Sequence, residues 1–177
     1  MESSGAPSPQ MDFSLEGQLA RLEAFLKEMI GKGRFDLKFT VRPEAGDATA
    51  AGPSYVVNFS GLDTPLLLES NAALLDALEY LAHKSMRLDE GLHHRINFDC
   101  EGYRRVRVEE LKMTANLAAE QVVERGEPFF LNPMNARDRR VIHLALKDDS
   151  RVRTESRGDG AARHVVIIPA ASSPSRT

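Results

Sequence analysis

The residues best suited to chemistry in this chain are Arg139 and His143, which lie four residues apart in the segment 132–143. In a helix this spacing is one turn, so the two side chains share a face. Lys147 continues the row by one more turn and Arg140 flanks it. Basic side chains at this spacing repel each other by roughly 0.2–0.5 kcal/mol. The pattern predicts a helix face that binds an anion, or else a capped helix whose basic last turn suits the helix dipole.

Length and composition exclude several classes of protein. The 177 residues suit one large or two small domains, and 42% hydrophobic with 28% charged residues is typical of globular chains. No segment has the roughly 20 apolar residues of a membrane span, and no signal peptide is visible, so we expect a soluble cytoplasmic protein without membrane insertion. The low aromatic content of 6% indicates that base stacking would not dominate any nucleic-acid binding. Cys100 can form no internal disulfide and is predicted to be a core residue.

Charge is unevenly distributed along the chain. Residues 1–100 carry 9 Lys and Arg against 15 Asp and Glu, whereas residues 101–177 carry 14 against 11. The first segment is therefore acidic, with a net charge of -6, and the second is basic, with a net charge of +3. A polyanion is expected to bind the second half, although a surplus of this size also suits an ordinary solvated surface.

Apolar periodicity predicts a mixture of helices and strands in the first half. Leucines and other apolar residues recur every three or four positions in the helical segments and alternate in the strands. The predicted elements are a helix over 14–29 ended by Gly31 and Gly33, strands over 36–42 and 55–59 joined by a long loop from Pro43, a short helix at 66–68, a helix over 74–87 and a strand over 95–100.

The second half is predicted to begin with a long helix over 103–125 that stops at Gly126. A strand over 128–131 precedes the helix that carries Arg139 and His143, and Asn135 is expected to cap that helix with Asp138 at the third position. Strands over 151–155 and 164–168 pair around the turn at 157–160. The polar ends 1–10 and 170–177 are predicted to be flexible tails.

The segment around Arg139 and His143 resembles the single-stranded nucleic-acid-binding domain named for its Arg-x-x-x-His motif, the R-three-H domain. Recurring neighbours of that motif are also present, at 132–135, 154–156, Gly158 and Arg163. The resemblance implies that Arg139 and Arg140 bind phosphate and that His143 donates to phosphate or stacks on a base. Lys147, and Arg163 on the returning strand, would extend the binding surface.

The order of elements before residue 101 resembles the type II KH fold. Residues 75–81 are similar to the helix after the GxxG loop in the KH domain of the bacterial Jag proteins, also called SpoIIIJ-associated proteins. That family has a KH domain followed by an R-three-H domain. The resemblance implies an α+β chain with a degenerate KH-like domain over 11–102, a linking helix over 103–125 and a small α/β R-three-H domain over 126–169.

The loop equivalent to GxxG is Glu69, Ser70, Asn71 and Ala72, which contains no glycine. Glycine lets the KH backbone approach nucleotides closely, and a carboxylate at the first position would repel phosphate. We therefore predict that the KH-like domain has lost its usual phosphate contact. The alternative is a fold retained for packing or for pairing with another chain.

Together these features predict a non-enzymatic regulatory protein that binds single-stranded RNA or DNA. Family resemblance implies RNA regulation and, as partners, a homodimer or a second KH protein. The alternative is a protein-interaction adaptor in which the KH-like domain mediates dimerisation. Neither a catalytic residue, a metal site nor a cofactor motif is expected from the sequence.

Three other groups of charged residues give weaker signals of function. The spacing of Asp89, His93, His94 and Asp99 matches no known set of metal ligands. Asp148 and Asp149 are predicted to form a solvated turn and not an acid–base pair. The basic run 104–107 is either a helix face for backbone contact or a solvated face.

Overall fold

The structure is a computed structural model that describes residues 15–44, 54–85 and 95–170. The chain divides into two compact units, Met1–Glu101 and Gly102–Thr177. Both contain helices and strands, which confirms the predicted α+β class. The predicted tails lie outside the described residues apart from Ala170, whose N–H donates to the Arg151 carbonyl at 2.8 Å.

In its described residues, the first unit contains a three-stranded sheet and two helices. Strand β1 pairs antiparallel with β2, and β3 pairs parallel with β2, so the order is β1-β2-β3. A parallel pair needs a crossover, which α2 supplies. The elements are α1 (Leu15–Gly33), β1 (Lys38–Glu44), β2 (Ser54–Ser60), α2 (Thr64–Ser85) and β3 (Ile96–Cys100).

Alternation along the strands produces the core of this unit. Phe59 of β2 and Phe98 of β3 are fully buried, with ring centroids 5.4 Å apart. Leu22 and Leu26 of α1 are also buried, and each such side chain stabilises the fold by about 1.5–3 kcal/mol. Cys100 is fully buried on β3, as predicted. Burial, followed by the nearby carboxylates, raises the pKa of its thiol to about 11, so this cysteine is a packing residue.

Helix α1 ends at Gly33, one of the two glycines predicted to stop it, four residues beyond the predicted bound. Gly31 lies within the helix, which continues to Gly33. The chain turns at Arg34, which has a left-handed φ of 55°, and the Phe35 N–H donates to the Ile30 carbonyl at 3.1 Å. A glycine in a last helical turn costs only about 1 kcal/mol, so it does not by itself stop a helix.

A break divides α2 at the loop predicted from the sequence. Glu69 is extended, and Ser70, Asn71 and Ala72 follow with φ values of 51°, 60° and 61°. Left-handed backbone costs a non-glycine residue roughly 1–2 kcal/mol. Ala72 is fully buried while Ser70 and Asn71 are exposed. Three successive residues are thus held in a conformation that glycine adopts more readily.

The second unit packs two helices on one face of an antiparallel sheet of order β4-β6-β5. Gly126 ends the long helix as predicted, in a left-handed conformation with its N–H donating to the Val122 carbonyl at 2.9 Å. No helix in the described ranges is long and apolar enough to cross a bilayer. The elements are α3 (Tyr103–Arg125), β4 (Phe129–Phe130), α4 (Ala136–Ala145), β5 (Val152–Arg157), a 3-10 turn (Gly160–Ala162) and β6 (His164–Pro169).

We expect Ser70→Gly to increase the free energy of unfolding by about 0.5–1 kcal/mol, because glycine removes the left-handed penalty at an exposed position. Ala73→Gly, at the neighbouring exposed position where α2 resumes, should decrease it by about 1 kcal/mol. Urea denaturation of the two variants measures both changes. Equal destabilisation by the two substitutions would show that Ser70 is not left-handed in solution.

Candidate nucleic-acid interface

Asn135 begins the helix that carries the motif. Its side-chain oxygen accepts the Asp138 N–H at 2.8 Å, which confirms the predicted cap. This bond satisfies one of the free N–H groups of the first turn and contributes about 1 kcal/mol. Arg139 and His143 both lie within α4 (Ala136–Ala145), so they share a face as their spacing predicts.

A largely buried ion pair fastens α4 to the long helix α3. Arg107 Nε donates to Asp138 Oδ2 at 3.0 Å, and the two side chains are 22% and 7% exposed. Burial opposes the charge of Arg107, but the hydrogen bond and charge of Asp138 outweigh it and raise the pKa of Arg107. Neither interpretation of the 104–107 run foresaw this role for Arg107, because its partner lies 31 residues away.

His143 is hydrogen-bonded at both ring nitrogens by hydroxyl groups of β5. Nδ1 lies 2.6 Å from Thr154 Oγ1, and Nε2 lies 2.9 Å from Ser156 Oγ. A neutral imidazole donates from one nitrogen and accepts at the other, so one hydroxyl accepts from His143 and the other donates to it. The accepting hydroxyl keeps its own O–H for a further acceptor. His143 therefore orients two hydroxyl groups on the neighbouring strand.

The structure gives His143 partners within the chain, where the resemblance implies a phosphate or a base. Burial, and then the positive charge of Arg139, lower the pKa of His143. The ring is therefore neutral at pH 7, and its two nitrogens already have partners. The positive charge of this site comes from the arginines.

Arg139 is half-buried on the same face of α4. Its Nε is buried and has no hydrogen-bond partner within the part of the chain that the structure describes. A buried donor without an acceptor costs about 1–3 kcal/mol. Among the predicted site residues in the described part of the chain, Arg139 is thus a half-buried cation without an acceptor.

Thr154 and Ser156 are site residues that the sequence argument did not identify. Both lie on the face of β5 that packs towards the helices, where Val152 is buried. Two hydroxyl residues at alternate positions on an otherwise apolar face are the signal that was available.

The arrangement corresponds to a known domain. The R-three-H domain family matches residues 109–169. By this match, residues 109–169 are similar to R-three-H domains. The match takes in α3 from Glu109 onwards, so most of the long helix lies within it.

The chain is also similar to bacterial proteins named RNA-binding protein KhpB. The chain is 36% identical over 111 residues to the one from Clostridium symbiosum, which covers 63% of this chain and 50% of that protein. It is 31% identical over 112 residues to the one from Bacillus subtilis, which covers 62% and 54%. The chain spans about half the length of these two relatives. The resemblance to the KhpB/Jag family is confirmed by this homology.

Of the other predicted basic residues, Arg140 lies on the motif helix as expected, whereas Lys147 and Arg163 lie just outside the elements expected to carry them. Arg140 is exposed on α4. Lys147 was predicted to continue the helical row, but α4 ends at Ala145 and Lys147 is exposed in the turn that follows. Arg163 lies just before β6, and its carbonyl accepts the Met134 N–H at 3.1 Å, beside the segment that leads into α4. No side-chain acceptor for Arg140, Lys147 or Arg163 is present among the described residues.

The remaining candidates have other roles or fall outside the structure. Asp149 accepts two hydrogen bonds from the Arg151 guanidinium, at 3.0 and 2.8 Å, and this pairing lowers its pKa to about 2. Asp149 is therefore a charged turn residue. Asp89, His93 and His94 lie outside the described residues, and Asp99 lies in β3. Glu69, Ser70, Asn71 and Ala72 form the break in α2.

We expect Asp138→Ala to lower the free energy of unfolding by about 3 kcal/mol, because it leaves the partly buried Arg107 charge with only the exposed Glu110 carboxylate, 3.5 Å away, as its partner. Glu109→Ala removes the partner of Lys112 from an exposed pair and should cost less than about 1 kcal/mol. Thermal or urea denaturation of both variants provides the measurement. Similar small losses in the two would mean that the Arg107–Asp138 pair does not anchor α4.

We also expect His143 to make stability depend on pH. Because its pKa is lowered in the folded state, the unfolded chain protonates His143 first as the pH falls. The resulting stabilisation is complete above the unfolded pKa of about 6.5 and is lost as the pH falls through the folded pKa. The loss of melting temperature between about pH 7.5 and 5 should be smaller in His143→Gln, which keeps the other four histidines. An identical loss would contradict the lowered pKa.

Proposed function

We propose that this chain is a non-enzymatic regulatory protein of the bacterial cytoplasm that binds single-stranded RNA through its R-three-H domain. The observation that carries the proposal is Arg139, a half-buried cation without an acceptor among the described residues, beside a histidine held by two hydroxyl groups. The relatives named RNA-binding protein KhpB support RNA as the ligand.

Arg139 and the hydroxyl groups would bind the phosphate backbone together. The Arg139 guanidinium donates in a planar fork that fits two phosphate oxygens. The hydroxyl that accepts from His143 has a free O–H to donate. Arg140, on the adjacent position of α4, and Lys147, in the following turn, add positive charge that attracts a polyanion. His143 acts in this scheme as a positioning residue.

We propose that the first unit is a type II KH-like domain that no longer binds phosphate at its loop. Its order of elements and its parallel β2–β3 pair support the fold. Exposed Glu69 at the start of the loop supports the loss, because its carboxylate repels a phosphate. Binding would then depend on the second unit.

A second candidate is a protein-interaction adaptor in which the KH-like domain pairs with another chain. The loop 69–72 favours it, because a KH fold without its glycines is kept for some other purpose. The two candidates differ in what the full-length chain binds. The adaptor would form a dimer or a complex with a second KH protein. It would not bind single-stranded RNA, with or without a substitution at Arg139.

We expect Arg139→Ala to weaken binding of full-length protein to single-stranded RNA and to reduce the slope of log affinity against log salt by about one. Lys112→Ala is the matched control, because Lys112 is an exposed basic residue of the same unit already paired with Glu109. Fluorescence anisotropy with a labelled oligonucleotide, at several salt concentrations, gives both quantities.

The proposed function fails if the wild-type chain shows no affinity for single-stranded RNA at low salt. The assignment of Arg139 fails separately if RNA binds but Arg139→Ala and Lys112→Ala give the same affinity and salt slope as the wild type.

A further inference from the structure

An exposed aromatic ring lies on the face of the second sheet opposite the motif helix. Phe130 of β4 is 60% exposed, and its ring centroid lies 6.2 Å from that of His164 on β6, with the ring planes at 46°. We propose that Phe130 and His164 form a stacking site for an unpaired nucleobase. This inference rests on the proposed function and adds to it a contact with bases.

Strand register assigns these residues to one face. Phe130 lies opposite Val166, and His164 is two residues before Val166, so both rings are on the same side of the sheet. Thr154 lies opposite Ile167 and Ser156 opposite Val165, so the hydroxyl groups bonded to His143 are on the other side. We call the side with Phe130 and His164 the outer face.

The rings are held in place as a stacking surface requires. His164 Nδ1 lies 2.9 Å from the Ala162 carbonyl, which only accepts, so Nδ1 carries the proton and the ring orientation is fixed. The backbone that carries Phe130 is fixed by its neighbour Phe129, which packs against the core of the unit. Aromatic side chains on a sheet are a recurrent means of holding unpaired bases.

Positive charge surrounds the two rings. Arg157 lies opposite His164 on β5, and Arg163 immediately precedes His164. The single carboxylate near them on β5, Glu155, is bonded to both Arg153 at 2.6 Å and Arg157 at 2.8 Å, so its charge is compensated. An exposed ring beside arginines suits a base attached to a phosphate and not an apolar peptide.

The hairpin end at 157–164 connects the two faces of the sheet. Ser156 faces the motif helix, and Arg157, the next residue, is on the outer face. Gly158 has a φ of 80° and a Cβ there would overlap the Ala162 carbonyl, so the turn is tight. A nucleic-acid strand bound at Arg139 therefore needs to pass only this turn, with Arg163 beside it, to place a base on Phe130.

The absence of tryptophan from the chain allows a direct test. Phe130→Trp introduces a single indole at the proposed site, and Leu117→Trp introduces one at an exposed position on α3. We expect a single-stranded uridine oligomer to quench the emission of Phe130→Trp and to leave Leu117→Trp unchanged. An abasic oligonucleotide of equal length should bind through its phosphates and quench neither, because it has no base to stack.

Phe130→Leu provides a second readout that keeps an apolar side chain over buried Val166. We expect it to weaken RNA affinity roughly 5- to 100-fold, the range of one lost stacking contact, with the salt slope unchanged. Arg139→Ala should change the slope instead. If anisotropy shows that RNA binds but Phe130→Trp is not quenched, or Phe130→Leu binds as the wild type, the stacking site is overturned and the proposed function stands. If the wild-type protein binds no RNA, both the stacking site and the proposed function are contradicted.

Discussion

The candidate interface depends on the ion pair between Arg107 and Asp138. It joins the long helix to the first turn of α4, where Asn135 also caps the Asp138 N–H. A carboxylate that is only 7% exposed is stable as an anion only with a partner of this kind. Because α4 is fixed at its start, the next residue, Arg139, and the histidine one turn later are held at defined positions over the sheet. The pair thus determines where the motif residues lie.

Side chains alternate along β5, so its hydroxyl groups and its charged groups lie on opposite faces of the sheet. Thr154 and Ser156 face the helices and bind His143, whereas Arg153, Glu155 and Arg157 form an ion-pair network on the outer face. Neutral His143 therefore orients hydroxyl groups, and positive charge is left to the arginines. As we propose, this division lets one small sheet serve a phosphate contact on one side and a base contact on the other.

The first unit retains a strained turn without the residue that would relieve it. Ser70, Asn71 and Ala72 are all left-handed, although glycine would adopt this backbone at lower cost. Buried Leu67 and Leu75 on either side, together with buried Ala72, hold the turn against that cost. Such strain persists where surrounding packing determines the backbone. The turn is accordingly a fixed part of the core of this unit, and its exposed residues include the carboxylate of Glu69.

The sequence by itself determined most of the elements and the shared face of the two motif residues. Helical and strand periodicities, the Asn135 cap and the Gly126 stop are local signals, and each was confirmed. What only the tertiary structure decided was the state of the motif. Arg107 meets Asp138 across 31 residues, and His143 meets Thr154 and Ser156 across 11 and 13. Tertiary packing determines these contacts, and the periodicity of the sequence does not predict them. Burial then lowers the pKa of His143, so its neutral, positioning role could not be deduced from residue type and spacing.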